Sequence, residues 1–343
     1  MRRLTALAVV MLLVACRTSA GEQAVADPPA SAEARLERVV DAAAHDLDIS
    51  GLSVEVLMPD GRRLSSVVGV EPSIRFGIAS ITKMFTTVTV LRLVERGVVD
   101  LDAAVTLPGL EPGATLRDLL GHTAGLPYLA RTEDPHWTLE GFGRAAAEPH
   151  PCAPQQCYAY SDLGFVAVGM VIEQATGEPF RDVLDREVLT PLALADTELA
   201  ELDRPIDRVA VPDGANFGPP GPLAGVPVNT WTGGSLVTTA PDLAHFGRAL
   251  FDGQLLQPAS LALMMDTTRS AALPCSENLC PRPYGLGLEG YRTSGHEAWG
   301  HSASTGAQLI VFPQETITVA ILSTRPDTGA EVTRRVIAAI TSA

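Results

Sequence analysis

The chain has 343 residues, enough for one large domain or two closely packed ones, and 46% of them are hydrophobic, which supports an extensive core. Lys+Arg 25 against Asp+Glu 40 leaves a net charge of −15. That balance argues against nucleic acid as a partner and against docking on anionic lipid through a basic face.

The N-terminus reads as an export segment. Arg2 and Arg3 precede an apolar run from Leu4 to Val14 that is too short to span a bilayer. The run ends Leu13-Val14-Ala15-Cys16, which resembles a bacterial lipobox in which Cys16 is lipidated and becomes the mature N-terminus. The alternative is an ordinary signal peptide cut near Ala20. Residues 1–16 are therefore expected to be a lipoprotein-type signal peptide and 17–30 a flexible tether. The expected location is the bacterial cell envelope, with membrane attachment only through a lipid on Cys16, or else a secreted or periplasmic soluble form.

From Ser31 the pattern turns helical, with Leu36, Val39, Val40, Ala43 and Leu47 on one face and Ser31 as a cap. Gly51 ends that element. Leu52-Ser53-Val54-Glu55-Val56 alternates as a strand, Pro59-Asp60-Gly61 turns, and Arg62 to Val68 returns as a second strand.

Next comes Phe76-Gly77-Ile78-Ala79-Ser80-Ile81-Thr82-Lys83, a run of small residues that delivers a serine to the first turn of a helix over Ser80 to Arg96. Ile81, Met84, Phe85, Val88 and Leu91 share a face, and Gly97 sits where a C-cap belongs. Lys83 lies three positions after Ser80, so both occupy one helical face within side-chain reach. A serine hydroxyl is a weak nucleophile until a base activates it, and Ser-x-x-Lys is one way of supplying that base. The helix start adds N–H groups and a positive dipole end that favour developing negative charge. Capping alone would account for Ser80. It would leave Lys83, inside a mostly apolar helix, without a reason.

Residues 98–230 are richer in Pro and Gly, with short helical pieces between long loops. Thr115 to Leu120 opens like a capping box and runs into Gly121-His122-Thr123-Ala124-Gly125-Leu126-Pro127. A histidine in such a turn is read as tying the loop together rather than as catalytic. Asp162 to Thr176 is a further helix, packing Val166, Val168, Gly169, Ile172 and Ala175 inward. After residue 231 come Gly233-Gly234, a helix from Pro241 to Phe251, and a loop from Cys275 to Pro283. Strands are expected at Tyr284 to Leu288, Trp299 to Ser302, Gln308 to Phe312 and Ile317 to Ser323, then a helix from Gly329 to Ile340. Strands at both ends around a helical middle give an α+β fold: a central antiparallel sheet built from both chain ends, flanked by helices, with a mainly helical insertion. The insertion is placed at 98–230, within a domain of 31–343 whose sheet part is 31–97 and 231–343.

Besides Cys16 there are four cysteines, in two C-x4-C spacings. In an exported chain an even count implies disulfides, and the spacings favour Cys152 with Cys157 and Cys275 with Cys280. Zinc ligation is the alternative. Each small loop contributes roughly 2 kcal/mol in the chain-entropy account.

A serine and lysine still need a proton donor for the leaving group and an oxyanion site. Tyr160-Ser161-Asp162 opens the 162–176 helix, and Tyr160 suits a relay if nearby cations lower its pKa. Trp299-Gly300-His301-Ser302-Ala303-Ser304 reads as a strand edge whose N–H groups face the Ser80 N–H.

Taken in order, these motifs resemble the serine beta-lactamase-related family: class C beta-lactamases, D-alanyl-D-alanine carboxypeptidases and aminopeptidases, and related esterases. Ser80-Ile-Thr-Lys83 matches the first motif, Tyr160-Ser161-Asp162 the position of Tyr-x-Asn, and His301-Ser302-Ala303 the Lys/His-Thr/Ser-Gly strand. Leu119 to Pro127, Gly233 to Thr239 and Tyr284-Gly285-Leu286-Gly287 add support, so the resemblance covers nearly all of 31–340. It implies a beta-lactamase/transpeptidase-like fold and an exported serine hydrolase working through an acyl group on Ser80. Lys83 and Tyr160 would share the proton work, the Ser80 and Ser304 N–H groups would form the oxyanion hole, and His301 would face the substrate. The substrate would be a small molecule or a peptidoglycan-derived fragment, with an ester, D-amino-acid peptide or lactam bond. No cofactor and no metal is implied.

Two positions depart from the family pattern. Asp162 stands where asparagine is usual, and an ionised carboxylate cannot donate to a substrate carbonyl. It would instead pair with Lys83, leave Tyr160 as the main base, and repel anionic ligands such as beta-lactams. Ala303 stands where glycine is usual and adds a methyl group beside the acyl site. Both favour neutral ester or peptide-like substrates. The alternative is a catalytically weakened envelope lipoprotein that binds peptidoglycan fragments or a protein partner.

Overall fold

The computed structural model describes residues 31–128, 137–204, 206–214, 217–219, 221, 223–276, 283–293 and 295–341. The signal peptide, Cys16 and the tether expected at 1–30 lie outside the described residues, as does Cys280.

A six-stranded antiparallel sheet runs in the order β2-β1-β9-β8-β7-β6. Its strands are β1 (Leu52–Leu57), β2 (Arg63–Val68), β6 (Glu289–Thr293), β7 (His296–Ser302), β8 (Gln308–Phe312) and β9 (Ile317–Ser323). Because β1 pairs with β9, Val54 opposite Ile321, the two ends of the chain close one sheet. Side chains along a strand alternate faces, and each face has its own core. Val319 and Ile321 join Leu36, Val40, Val332 and Val336 under α1 (Ala32–Asp46) and the C-terminal helix. Ala320, Leu322, Leu309 and Val311 belong to the larger core on the opposite face.

That larger core also holds the helical part of the chain: α2 (Thr82–Glu95), α3 (Leu116–Leu120), α4 (Leu139–Ala145), α5 (Asp162–Thr176), α6 (Phe180–Leu184) and α7 (Ala240–Phe251). α8 (Pro258–Met265), α9 (Thr268–Ala272) and α10 (Gly329–Thr341) complete the α-helices among the described residues. Phe85 of α2 stacks on Phe246 of α7 with centroids 3.6 Å apart, joining the helical cluster to the sheet. A second sheet, β3 (Phe76–Gly77), β5 (Leu236–Thr238) and β4 (Glu198–Leu199), is short and lies at the base of α2.

Local chemistry explains the boundaries. Ser31 accepts from Ala34 N–H at the start of α1, and Thr115 and Asp118 form a reciprocal capping box on α3. Gly177, in a left-handed conformation, ends α5. Among the described residues no helix is long and apolar enough to cross a membrane.

One expected strand is corrected. Tyr284 to Leu288 does not form a strand; the strand is Glu289–Thr293, with only an isolated bridge from Tyr284 to Glu289. Gly287 takes φ +59°, and a Cβ there would meet Thr87 Oγ1 at 2.1 Å and the Lys83 carbonyl at 2.8 Å. The segment is a tight turn wedged against α2, which is why glycines occupy it. The Cys152–Cys157 bridge is formed, with Cα atoms 6.1 Å apart.

Candidate active site

Ser80 sits in a single 3-10 turn, Ala79–Ile81, between β3 and α2. Ala79 just before it has φ +39°, in the left-handed region that costs a non-glycine residue energy. At Gly77 a Cβ would lie 2.2 Å from the Gly225 carbonyl, so only glycine lets the chain reach this turn. Ser80 is in the first turn of its helix, where N–H groups lack intrahelical partners.

α2 is buried almost all round, and Lys83 is 0% exposed. An ammonium has three N–H donors, and three acceptors surround this one: Ser80 Oγ at 3.2 Å, Asp162 Oδ1 at 2.5 Å and the Gly233 carbonyl at 2.9 Å. The rings of Tyr160 and Phe165 lie 5.0 and 5.4 Å from Nζ, so the cation is enclosed by π faces as well. Asp162 is the first residue of α5, whose cap Ser161 accepts from Gly164 N–H. The expected pairing of Asp162 with Lys83 is therefore the observed geometry.

Tyr160 precedes that cap and donates its hydroxyl to Ser80 Oγ at 2.9 Å. Burial, followed by the Asp162 charge, pushes its pKa well above the ordinary phenol value. The condition set for a cation-assisted relay is not met: burial dominates, and Lys83 is engaged by Asp162. Tyr160 rests as a phenol rather than a phenolate.

The sheet side of the site is built differently. β7 ends at Ser302, and Ala303, Ser304, Thr305 and Gly306 form the turn into β8. Thr305 Oγ1 donates to the Gly77 carbonyl at 2.9 Å, tying this turn to the strand just ahead of Ser80. Ser304 is exposed in the turn. His301 is 1% exposed. Its Nδ1–H donates to the Ser302 carbonyl at 2.7 Å, since a carbonyl only accepts, and its Nε2 takes the Tyr284 hydroxyl at 3.2 Å. Burial holds this histidine below its ordinary pKa, and the nearby Glu289 only partly opposes that. The expectation that His301 faces the substrate is corrected: both ring nitrogens are engaged within the protein.

Glu289 is the site residue that sequence reasoning missed. It lies on β6 opposite Gly300, and it accepts from Ser302 N–H at 3.3 Å, from Ser302 Oγ at 3.1 Å and from the Tyr291 hydroxyl. Tyr284, at the turn before β6, closes over His301. Glu289 carries no motif; the β6–β7 pairing brings it to Ser302. Among the described residues there is no cluster of three or more His, Cys, Asp or Glu that would hold a metal ion.

The fold and the site together define a class of α+β protein in which a serine at the mouth of a buried helix is met by a lysine one turn on and a tyrosine from a neighbouring helix cap. This chain belongs to the beta-lactamase family, whose model matches residues 36–342. It is similar to esterase EstB of Burkholderia gladioli, 34% identical over 171 residues that make up 40% of this chain and 41% of the esterase. The chain thus spans less than half of that esterase's length. It is also similar to penicillin-binding protein 4 of Amycolatopsis lactamdurans, 28% identical over 276 residues, 72% of this chain and 71% of that one. Among solved structures, the D-amino acid amidase of Ochrobactrum anthropi SV3 complexed with L-phenylalanine amide shares the fold. That match has a TM-score of 0.76 and 24% identity, over 91% of this chain and 99% of the amidase.

Proposed function

We propose that the protein is an exported serine hydrolase that forms an acyl intermediate on Ser80. The observation that carries this reading is the convergence of Lys83 Nζ and the Tyr160 hydroxyl on one atom, Ser80 Oγ, at 3.2 and 2.9 Å. A serine that merely capped a helix would need neither.

Ser80 Oγ attacks the carbonyl carbon of the acyl donor. Its proton passes to Tyr160 Oη as Tyr160 gives its own proton to the leaving alkoxide or amine. A phenol can act this way without first becoming a phenolate, which suits a Tyr160 whose pKa is raised. Lys83, anchored by Asp162 and Gly233, stabilises the negative charge that builds on Oγ. The Ser80 and Ser304 N–H groups receive the oxyanion. Water entering along the leaving-group path reverses the relay and frees the acid.

The substrate we infer is a neutral ester or a peptide-like amide rather than a carboxylated lactam. His301 offers no free N–H, Lys83 is neutralised by Asp162, and Glu289 adds a carboxylate behind β7. Among the described residues at these positions, no cation is left to meet a substrate carboxylate where other family members are expected to place one. Cys16 lipidation would hold the enzyme at the cell envelope.

A panel of chromogenic esters, D-amino-acid amides and a chromogenic cephalosporin, run against wild type and Ser80→Ala, tests this reading. Ester or amide turnover that vanishes in Ser80→Ala is the expected result. Equal turnover in both proteins would end the proposal, and a cephalosporin as the best substrate would end the charge argument. Asp162→Asn is expected to raise cephalosporin acylation about tenfold, the effect of removing roughly 1.4 kcal/mol of repulsion.

A further inference from the structure

His122 has a role beyond tying its loop. It lies in the turn after α3 with φ +56°, a left-handed conformation that His and Asn adopt more readily than most residues, and it is 2% exposed. It grips the stretch that carries Tyr160 at two points. Its carbonyl accepts from Ala159 N–H at 2.8 Å, and its Nδ1 accepts from Ser161 N–H at 3.1 Å. Those two amides flank Tyr160 in the chain. The imidazole also lies against the Tyr160 ring, centroids 4.2 Å apart and planes inclined by 35°. Tyr284 at 4.8 Å and Phe165 at 5.4 Å pack against the same imidazole.

A backbone N–H can only donate, so Nδ1 must carry a lone pair. Only the neutral tautomer with its proton on Nε2 provides one; an imidazolium has none. Burial, reinforced by the Lys83 charge, holds the ring well below its ordinary pKa, so the accepting form persists.

We propose that His122 is the positioning residue for Tyr160: a two-point backbone clamp that sets the Tyr160 hydroxyl on Ser80, and that carries no proton itself. This rests on the reading of Tyr160 as the proton relay for Ser80. The clamp needs an acceptor at the Nδ1 position and nothing from Nε2, which has no hydrogen-bond partner among the described residues.

Asparagine and glutamine separate these features. Asn puts its Oδ1 where His puts Nδ1 and tolerates the left-handed backbone; Gln puts its acceptor one atom further out. His122→Gln should lose the Ser161 bond. It is expected to lower kcat for a Ser80-dependent p-nitrophenyl ester by about 10–100-fold, the scale of a roughly 1 Å misplacement, with KM changed less than about threefold. His122→Asn is expected to recover to within about fivefold of wild type. Crystal structures of the two variants, with melting temperatures as a check on folding, supply a readout free of activity. The Tyr160 Oη to Ser80 Oγ distance should stay near 2.9 Å in the Asn variant and open beyond hydrogen-bond reach in the Gln variant. Tyr160 in the same place in both structures would overturn the clamp. Folded Asn and Gln variants equally crippled would also overturn it, because the ring itself would then be needed. A wild type with no Ser80-dependent turnover would sink the hydrolase reading while leaving the distances to decide the clamp.

Discussion

The two sides of the cleft use their polar groups in opposite ways. On the helical side, Lys83 and Tyr160 converge on Ser80 while Asp162 anchors Lys83, so side chains build that wall. On the β7 side, His301 and Ser302 turn to Tyr284, Glu289 and the backbone, so their side chains are spent on one another. What that side offers the cleft is main chain, at the turn held by Thr305 to Gly77. The difference teaches that, in the proposed reaction, chemistry belongs to side chains on one wall and to backbone geometry on the other. Substitutions on the helical side should therefore lower turnover whatever they do to stability, whereas those on β7 should act on stability alone.

Lys83→Ala is the harshest test of the contrast. With the ammonium gone, turnover should fall by about 10²–10⁴ while KM changes little, measured by steady-state kinetics on the best ester. A variant with near-normal kcat would move the chemistry off the helical wall. Asp162→Ala comes next: it strands a fully buried lysine, and breaking such a pair from one side costs about 3–5 kcal/mol. Urea unfolding should show that loss, and a shift under 1 kcal/mol would mean that Gly233 and Ser80 alone hold the cation.

The smallest effect is in acid. His122 and His301 both have folded pKa values below their ordinary value, because both are buried neutral. The unfolded chain therefore takes up protons first as pH falls through about 6.5, and stability is present above that pH and lost below it. His301→Gln should flatten the slope of unfolding free energy between about pH 6.5 and 5, with modest change in kcat at pH 7. A large kcat loss with the slope intact would put His301 in the chemistry after all.

Much of the helical wall was legible in the sequence because its geometry is local. Ser80 and Lys83 are three apart on one helix, and Tyr160 and Asp162 straddle a cap that announces itself by Ser161 before an apolar run. The sheet was legible from the alternation of Leu52 to Val56 and from the strand-like apolar run Ile317–Ser323. The β7 wall was not. Which way His301 turns depends on Tyr284 and Glu289, and neither is near it in sequence; their meeting is set by the β6–β7 register, which pairs Glu289 with Gly300. From sequence alone, Tyr284 to Leu288 reads as a strand. Gly287, pressed against Thr87 and the Lys83 carbonyl, bends it into a turn instead. The pKa of Tyr160 follows from burial, which motif spacing does not report.

The most direct measurement is intact-protein mass spectrometry of the purified protein quenched in acid after brief exposure to a slowly hydrolysed activated ester. One added acyl group, mapped by proteolysis to the Ile78–Lys83 segment and missing in Ser80→Ala, is the result predicted. An adduct on another residue, or turnover of the ester with no adduct and full activity in Ser80→Ala, would contradict an acyl intermediate on Ser80.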